Sequence, residues 1–339
     1  MTHPAPSSDR PAEAEIELSV VVPVYGEADN IGPLCARLLP LLRRVVTSYE
    51  VLFVDDGSPD DTLAAIRRQN VDDPNVVAVS FSRNFGKEVA IAAGLDHARG
   101  KAVVIMDADL QHPPETIEAF VEQWRQGYAM VYGQRTDRSG ESRVKRGFTH
   151  VFYRLFARFG ETELPEGAGD FRLIDRRGVQ VLKSLGERAR FSKGLYAWIG
   201  FRATGVPFVV EERAFGTTKW SFRRLFRFAF DGITSFSTVP LRVWTYIGGL
   251  VSLGALAAAI WFAFRTLIFG SDVAGYPSLI VSITFFSGIQ LLSLGMIGEY
   301  VGRIFAEVKR RPLYVVGETV GLSQLAAPLI RDDRRNPGV

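Results

Sequence analysis

The regular pattern begins at residue 18. Four continuous apolar runs, Leu18–Val24, Val51–Val54, Val76–Phe81 and Ala102–Met106, have strand length, and each is followed by turn residues or acids. Between them apolar residues recur at helical spacing over Ile31–Val46, which Asp29 or Asn30 is placed to cap, over Val89–Ala98 and over Pro114–Gln126. A fifth strand is expected at Ala129–Tyr132. Short, continuous apolar strands that alternate with helices predict a parallel sheet covered on both faces. In such an α/β domain, ligands bind beyond the carboxyl ends of the strands.

The pattern changes towards the C-terminus. No residue is charged from Val243 to Phe264 or from Val273 to Gly298. At ~1.5 Å rise per residue, about 20 residues cross a ~30 Å hydrocarbon core, so both stretches have the length of a transmembrane helix. A pair of buried core helices is the alternative. Gly248, Gly249, Ser252, Gly254, Ala255 and Ala258 suit close helix contact in lipid, and Trp244, Tyr246, Trp261, Tyr276 and Tyr300 lie near the ends as interfacial aromatics do. Basic residues flank the hairpin on both outer sides, Arg223, Arg224, Arg227 and Arg242 before it and Arg303, Lys309, Arg310 and Arg311 after it, whereas the connector holds only Arg265 and Asp272. The positive-inside rule then places both termini in the cytoplasm.

This gives an expected organisation: a disordered tail at 1–16 in place of a signal peptide, an α/β domain at 17–219, an interfacial helix at 220–240, transmembrane helices at 241–268 and 273–300, and a cytoplasmic tail at 301–339. Within the α/β domain, 141–160 forms a basic segment. There Phe148, Phe152, Leu155, Phe156 and Phe159 follow helical spacing with Arg154 and Arg158 interleaved. The 220–240 stretch repeats the arrangement with Trp220, Phe222, Leu225, Phe226 and Phe230. Both read as basic amphipathic helices at lipid headgroups, or as ordinary amphipathic helices packed on the α/β domain.

Composition narrows the chemistry. The 339 residues are 47% hydrophobic, which excludes a disordered chain, and a single cysteine excludes a disulfide scaffold or a multi-cysteine metal site. The net charge of +3 conceals an asymmetry, because Glu141 to Arg227 carries 18 Lys and Arg against 9 Asp and Glu. No nucleic-acid reader motif accompanies these bases, so nucleic acid is not expected as a partner. A glycine fingerprint after the first strand and a P-loop are both missing, so neither a dinucleotide nor ATP on a Walker loop is expected.

The strand ends carry acids. The second ends in Asp55-Asp56-Gly57-Ser58 and the fourth in Asp107-Ala108-Asp109. In extended chain Asp107 and Asp109 share a face, and two crowded carboxylates call for a cation. Mg2+ or Mn2+, shared with substrate phosphates, suits such oxygens. Solvated loop acids are the alternative. The first strand ends in Pro23-Val24-Tyr25-Gly26-Glu27, a turn suited to a base or ribose, or merely a strand-to-helix turn. His112 follows the acids as a ligand or a loop residue. Cys35 reads as a small core residue, and His97 and His150 carry no specific signal.

From Leu18 to Gly317 the segments VVPVYGEADNI, VLFVDDGSPDDT, SFSRNFGKEVAIAAGLDHA, IMDADLQHPPE, YGQR, GAGDFRLIDR and FGTTKWSFRRL resemble the polyprenyl-phosphate glycosyltransferases of glycosyltransferase family two. That group includes dolichol-phosphate mannose synthases and bactoprenol glucosyltransferases. The resemblance implies a GT-A (Rossmann-like) catalytic domain with interfacial amphipathic helices and a C-terminal two-helix transmembrane hairpin, and it implies inverting transfer of a hexose from a nucleotide-diphosphate sugar to a polyprenyl phosphate. It implies that Pro23, Tyr25, Glu27, Asp55 and Asp56 line the nucleotide pocket, with Asp107, Ala108 and Gln111 on the same ligand. Asp107 and Asp109 would hold Mg2+ or Mn2+ on the diphosphate. Arg135, Lys145, Arg146 and Thr149 would meet the acceptor phosphate, Lys219 would reach the donor diphosphate, and Asp170 would sit near the reacting centre. It also implies a homo-oligomer, a tetramer, at the bacterial cytoplasmic membrane.

The implied chemistry is sound. The acceptor phosphate has a second pKa of about 6 and is already anionic at neutral pH, so a strong base is not required. Asp170 is then expected to position the acceptor or an arginine. UDP-glucose is the expected donor, with GDP-mannose or a UDP-N-acetylhexosamine as alternatives. Rival readings are a processive polysaccharide synthase, for which the Q-x-x-R-W signature is missing, a lipid-linked sugar translocator, for which two spans make a poor pathway, and a non-catalytic nucleotide-binding membrane module.

Overall fold

The computed structural model describes residues 15–136, 168–185, 192–211, 275–309 and 311–322, together with scattered positions between 248 and 268. The elements in chain order are β1 (Leu18–Val24), α1 (Ala28–Val45), β2 (Tyr49–Asp55), α2 (Thr62–Asp72), β3 (Val76–Phe81), α3 (Lys87–His97), β4 (Ala102–Ile105), α4 (Thr116–Arg125), β5 (Met130–Arg135), β6 (Ala168–Asp175), α5 (Arg176–Ser184), α6 (Ser192–Trp198), β7 (Ala203–Phe208), α7 (Tyr276–Val308) and β8 (Val316–Val320). The strands form one sheet in the order β7-β5-β6-β4-β1-β2-β3-β8.

The sheet is mixed, which corrects the expectation of a parallel one. Strands β1 to β4 are parallel through β4-β1-β2-β3. Strand β6 then inserts antiparallel between β4 and β5, β7 runs parallel to β5, and β8 closes the far edge antiparallel to β3. The parallel strands are buried at every position but Pro23, as their largely apolar sequences favour. Helix α1 lays Ile31, Leu34, Leu38 and Leu42 into the core. Helix α3 approaches β1 so closely that a Cβ on Gly94 would stand 2.1 Å from a Val21 methyl, so only glycine fits there. Cys35 is buried, as expected.

Three local expectations change. Helix α1 starts earlier, with Glu27 at the N-cap position and no side-chain cap, so Asp29 and Asn30 lie inside it. Asn30 instead turns its amide back onto the Glu27 carboxylate. Strand β5 runs on to Arg135 through a register shift between Tyr132 and Gln134. The segment expected as the start of a polar tail supplies β8, and just before it Tyr314 is buried, stacked on Phe81 at 5.0 Å between ring centroids. The Tyr314 hydroxyl stands 3.2 Å from an Asp96 oxygen and 3.3 Å from His97 Nε2, and Arg67 on α2 pairs with Glu318 on β8.

The chain divides into two compact units, one holding the sheet and its helices and the other holding Arg223–Arg310. In the second, α7 runs 33 residues, about 50 Å at 1.5 Å per residue. Leu279, Ile283, Phe285, Leu291, Leu294, Ile297, Val301, Ile304 and Phe305 are exposed along it. The helical positions Leu250, Leu253, Ile260, Trp261, Phe264 and Ile268 are exposed as well. Among the described residues no helix is long and apolar enough to cross a membrane, so the two-span hairpin stands as an expectation. The amphipathic segments at 141–160 and 220–240 lie outside the described residues.

Candidate functional site

The carboxyl ends of β2 and β4 meet the amino end of α3, and the turn after β1 joins the segment after β2. After β1, Pro23 still pairs with Val54 in the ladder, whereas Tyr25 is half exposed and Gly26 takes a φ of +69°. The Gly26 amide donates to Ser58 Oγ at 3.0 Å and the Glu27 amide to Thr62 Oγ1 at 3.0 Å. These bonds fasten the Pro23–Glu27 turn to the segment that follows β2.

At the end of β2, Asp55 and Asp56 are almost fully buried. Asp55 accepts the Ser58 amide at 3.0 Å and the Ser80 hydroxyl at 2.7 Å. Asp56 accepts the Phe85 amide at 2.6 Å on one oxygen and the Gly86 amide at 2.9 Å on the other. Burial raises the Asp56 pKa, and these two amides offset that only in part. Asp56 thus clasps the entry to α3, where Gly86 has a φ of +101°. Gly57 leaves no alternative nearby, because a Cβ there would stand 2.6 Å from the Arg83 carbonyl carbon.

The end of β4 differs. Asp107 is part-exposed and Ala108 and Asp109 are buried. Asp109 accepts the Gln111 amide at 3.1 Å, and Leu110 between them takes a φ of +60°, alone among described non-glycine residues. The Gln111 carbonyl accepts the Glu211 amide at 3.2 Å. His112 is buried, stacked on Phe171 at 4.8 Å, and its Nδ1 makes no hydrogen bond; burial lowers its pKa.

Lys87, the first residue of α3, reaches into this region. Its Nζ stands 2.6 Å from Asp107 Oδ1 and 3.2 Å from Asp170 Oδ2, so one ammonium bridges the end of β4 and the start of β6. Burial disfavours that ammonium, but Asp107 and Asp170 outweigh it and raise its pKa. The next residue, Glu88, accepts the amide and hydroxyl of Ser192 on α6. Burial, and then the nearby Asp170 charge, raises the Glu88 pKa. Beneath Asp170, the buried Arg172 lays its guanidinium over the Tyr196 ring at 3.8 Å and donates to the Gly169 carbonyl. Burial depresses the Arg172 pKa and raises that of Tyr196.

The structure therefore brings Asp107, Asp109, Asp170 and Gln111 to one edge of the sheet. Arg135 ends β5 with an exposed side chain. Lys145, Arg146, Thr149 and Lys219 lie outside the described residues. Lys87, Glu88, Arg172 and Tyr196 were not singled out from sequence. A Lys-Glu pair opening a helix looks like an ordinary solvated first turn, and only its place after the FG turn in SFSRNFGKEVA hinted otherwise.

The residues present fit a divalent cation held jointly with a substrate. Among the described residues no group of three or more His, Cys, Asp or Glu closes on a metal unaided. Asp107 and Asp109 offer hard carboxylate oxygens two residues apart, the donor set of Mg2+ or Mn2+, whose other positions substrate phosphates commonly fill.

Comparison with known proteins identifies the family. A family model described as Glycosyl transferase family 2 matches residues 19–182. The chain is 49% identical over 310 residues to an uncharacterized glycosyltransferase, sll0501, of Synechocystis sp. (strain ATCC 27184 / PCC 6803 / Kazusa), covering 91% of this chain and 98% of that protein. It is 44% identical over 301 residues to the SfII prophage-derived bactoprenol glucosyl transferase of Shigella flexneri, covering 89% of this chain and 97% of that one. Among solved structures, glucosyl-3-phosphoglycerate synthase from Mycobacterium tuberculosis in complex with Mn2+, UDP and phosphoglyceric acid is 21% identical with a TM-score of 0.44, covering 64% of this chain and 76% of that chain. That last likeness is too distant to bear on ligand or mechanism.

Proposed function

The chain belongs to glycosyl transferase family 2, and from that membership we propose that this glycosyltransferase moves a hexose from a nucleotide-diphosphate sugar, UDP-glucose, to a polyprenyl phosphate at a membrane face. The observation that carries the reading is the set of acids at the sheet edge, Asp107 and Asp109 beyond β4 with Asp170 beside them, bridged by Lys87. Relatives named bactoprenol glucosyl transferase at 44% identity support the glucose donor and the lipid acceptor.

The chemistry follows from the charges. An acceptor phosphate oxygen attacks the anomeric carbon, the new C–O bond forms, and the bond to the leaving diphosphate breaks with inversion. Negative charge builds on that diphosphate. A divalent cation held by Asp107 and Asp109, Mg2+ or Mn2+, would supply the Lewis acidity that stabilises it. The Pro23–Glu27 turn and the loop held by Asp55 and Asp56 form the adjoining wall for the nucleoside. Arg135, with Lys145, Arg146 and Thr149, is assigned to the acceptor phosphate, and Lys219 to the donor diphosphate. Asp170 orients the acceptor side of the site. The acceptor is already anionic, so the reaction needs no proton removed.

Membrane attachment belongs to the same proposal. The long α7, with exposed apolar side chains along its length and an uncharged sequence from Tyr276 to Gly298, supports a lipid-embedded second unit with both termini in the cytoplasm of a bacterium. A homo-oligomer, a tetramer, is part of the reading by family resemblance alone.

A donor panel tests the assignment. Purified protein with undecaprenyl phosphate and Mg2+ should turn over UDP-glucose faster than GDP-mannose or UDP-N-acetylglucosamine. Faster turnover of another sugar nucleotide would replace the donor, and no turnover of any would overturn the function.

A further inference from the structure

We propose that Lys87 is a built-in counter-ion of the site, which holds Asp107 and Asp170 together while no metal is bound and gives up Asp107 when a divalent cation arrives. The inference rests on the reading of Asp107 as a metal-holding residue. It adds a positioning role for a lysine and a direction for its effect on metal binding.

The geometry comes first. Two carboxylates, one just beyond β4 and one in β6, share a single ammonium, at 2.6 Å and 3.2 Å. The lysine is aimed from both sides. Asp56 clasps the Phe85 and Gly86 amides immediately before it, and Glu88 immediately after it is tied to Ser192 on α6. The ammonium therefore sits on a fixed first turn, and its place follows from backbone bonds that no ligand needs to make.

Electrostatics then sets the sign. A dication drawn to Asp107 meets a positive charge already on the same carboxylate. Lys87 consequently weakens binding of the metal alone, and favours its entry together with the anionic diphosphate, which restores the charge balance. The side chain is about half exposed, 45%, so screening keeps the effect modest. Once Asp107 turns to the metal, the ammonium remains with Asp170 and keeps that carboxylate in place on the acceptor side.

The test uses the full chain in detergent. Mn2+ binding is followed by electron paramagnetic resonance without nucleotide, for wild type, Lys87→Met and Lys87→Arg, with melting temperature as the check on folding. The expected result is Mn2+ bound about 5-fold more tightly by Lys87→Met, about 1 kcal/mol, while its kcat falls at least about 10-fold and its donor KM rises. Lys87→Arg should keep wild-type metal affinity and recover part of kcat. A merely structural lysine would lower both quantities or neither. Unchanged or weaker Mn2+ binding in a folded Lys87→Met protein overturns the inference alone. Wild type that binds no Mn2+ even when UDP is added overturns it together with the metal assignment of the functional reading.

Discussion

The ends of β2 and β4 flank β1 on one sheet edge, and both carry paired acids, yet the two pairs do different work. Asp55 and Asp56 are buried and spend their oxygens on the Ser58, Phe85 and Gly86 amides and the Ser80 hydroxyl. Asp107 faces a lysine ammonium and is partly open to solvent. Acids saturated by backbone amides hold a loop in shape. Acids balanced by one movable cation are ready to exchange it. A motif of acids at a strand end therefore acquires meaning only from what already occupies its oxygens.

Substitutions at the two ends should separate these roles. The largest effect is expected from Asp107→Asn or Asp109→Asn, which should lower kcat/KM by about 1,000-fold or more, the scale on which a lost electrostatic contact to a leaving group acts, with a melting temperature close to wild type. A large fall in melting temperature would place these acids with the structural pair. Asp170→Asn comes next, with kcat down about 100-fold and the pH–rate profile unchanged in shape, as positioning requires. Loss of one ionisation from that profile would instead make Asp170 a base.

Asp56→Ala should act on the fold. It leaves two buried amides without their charged acceptor, a loss of about 2–3 kcal/mol by the usual cost of such bonds. The melting temperature should drop by several degrees, and an unchanged value would break the distinction between the two ends. The smallest effect is on pH dependence. Burial lowers the pKa of His97, and of His112, below the ordinary value of 6.5. The unfolded chain then binds protons that the folded chain refuses, so stability is complete above pH 6.5 and declines as pH falls below it towards the folded pKa values. Thermal melts from pH 7.5 to 5 should show this decline, and His97→Phe should shallow it.

Much of the fold was legible because the buried parallel strands are apolar at most positions. Leu18–Val24 and Val76–Phe81 coincide with β1 and β3. The antiparallel additions were harder. Strand β6, AGDFRLID, mixes three charges into eight residues, β7 is largely part-exposed, and β8 is five residues long with Glu318 in its middle. Each depends on neighbours brought in from far along the chain, which local pattern does not carry. At the site, the places of Asp107 and Asp109 were legible from the end of the fourth strand, and Asp170 entered through the family resemblance alone. The bridge was not legible, because Lys87 meets Asp107 and Asp170 only after α3 has packed on the sheet. The structural commitment of Asp56 was hidden for the same reason, since its partners Phe85 and Gly86 lie beyond another strand.

The most direct test of the central claim is transfer of radiolabel from UDP-glucose to undecaprenyl phosphate by the purified protein, with Mg2+ or Mn2+ and with chelator, for wild type and Asp107→Asn. Label entering the lipid fraction with wild type and divalent cation, and disappearing with chelator or Asp107→Asn, is the predicted result. Label that never enters the lipid, or that enters it equally with Asp107→Asn, would contradict the account.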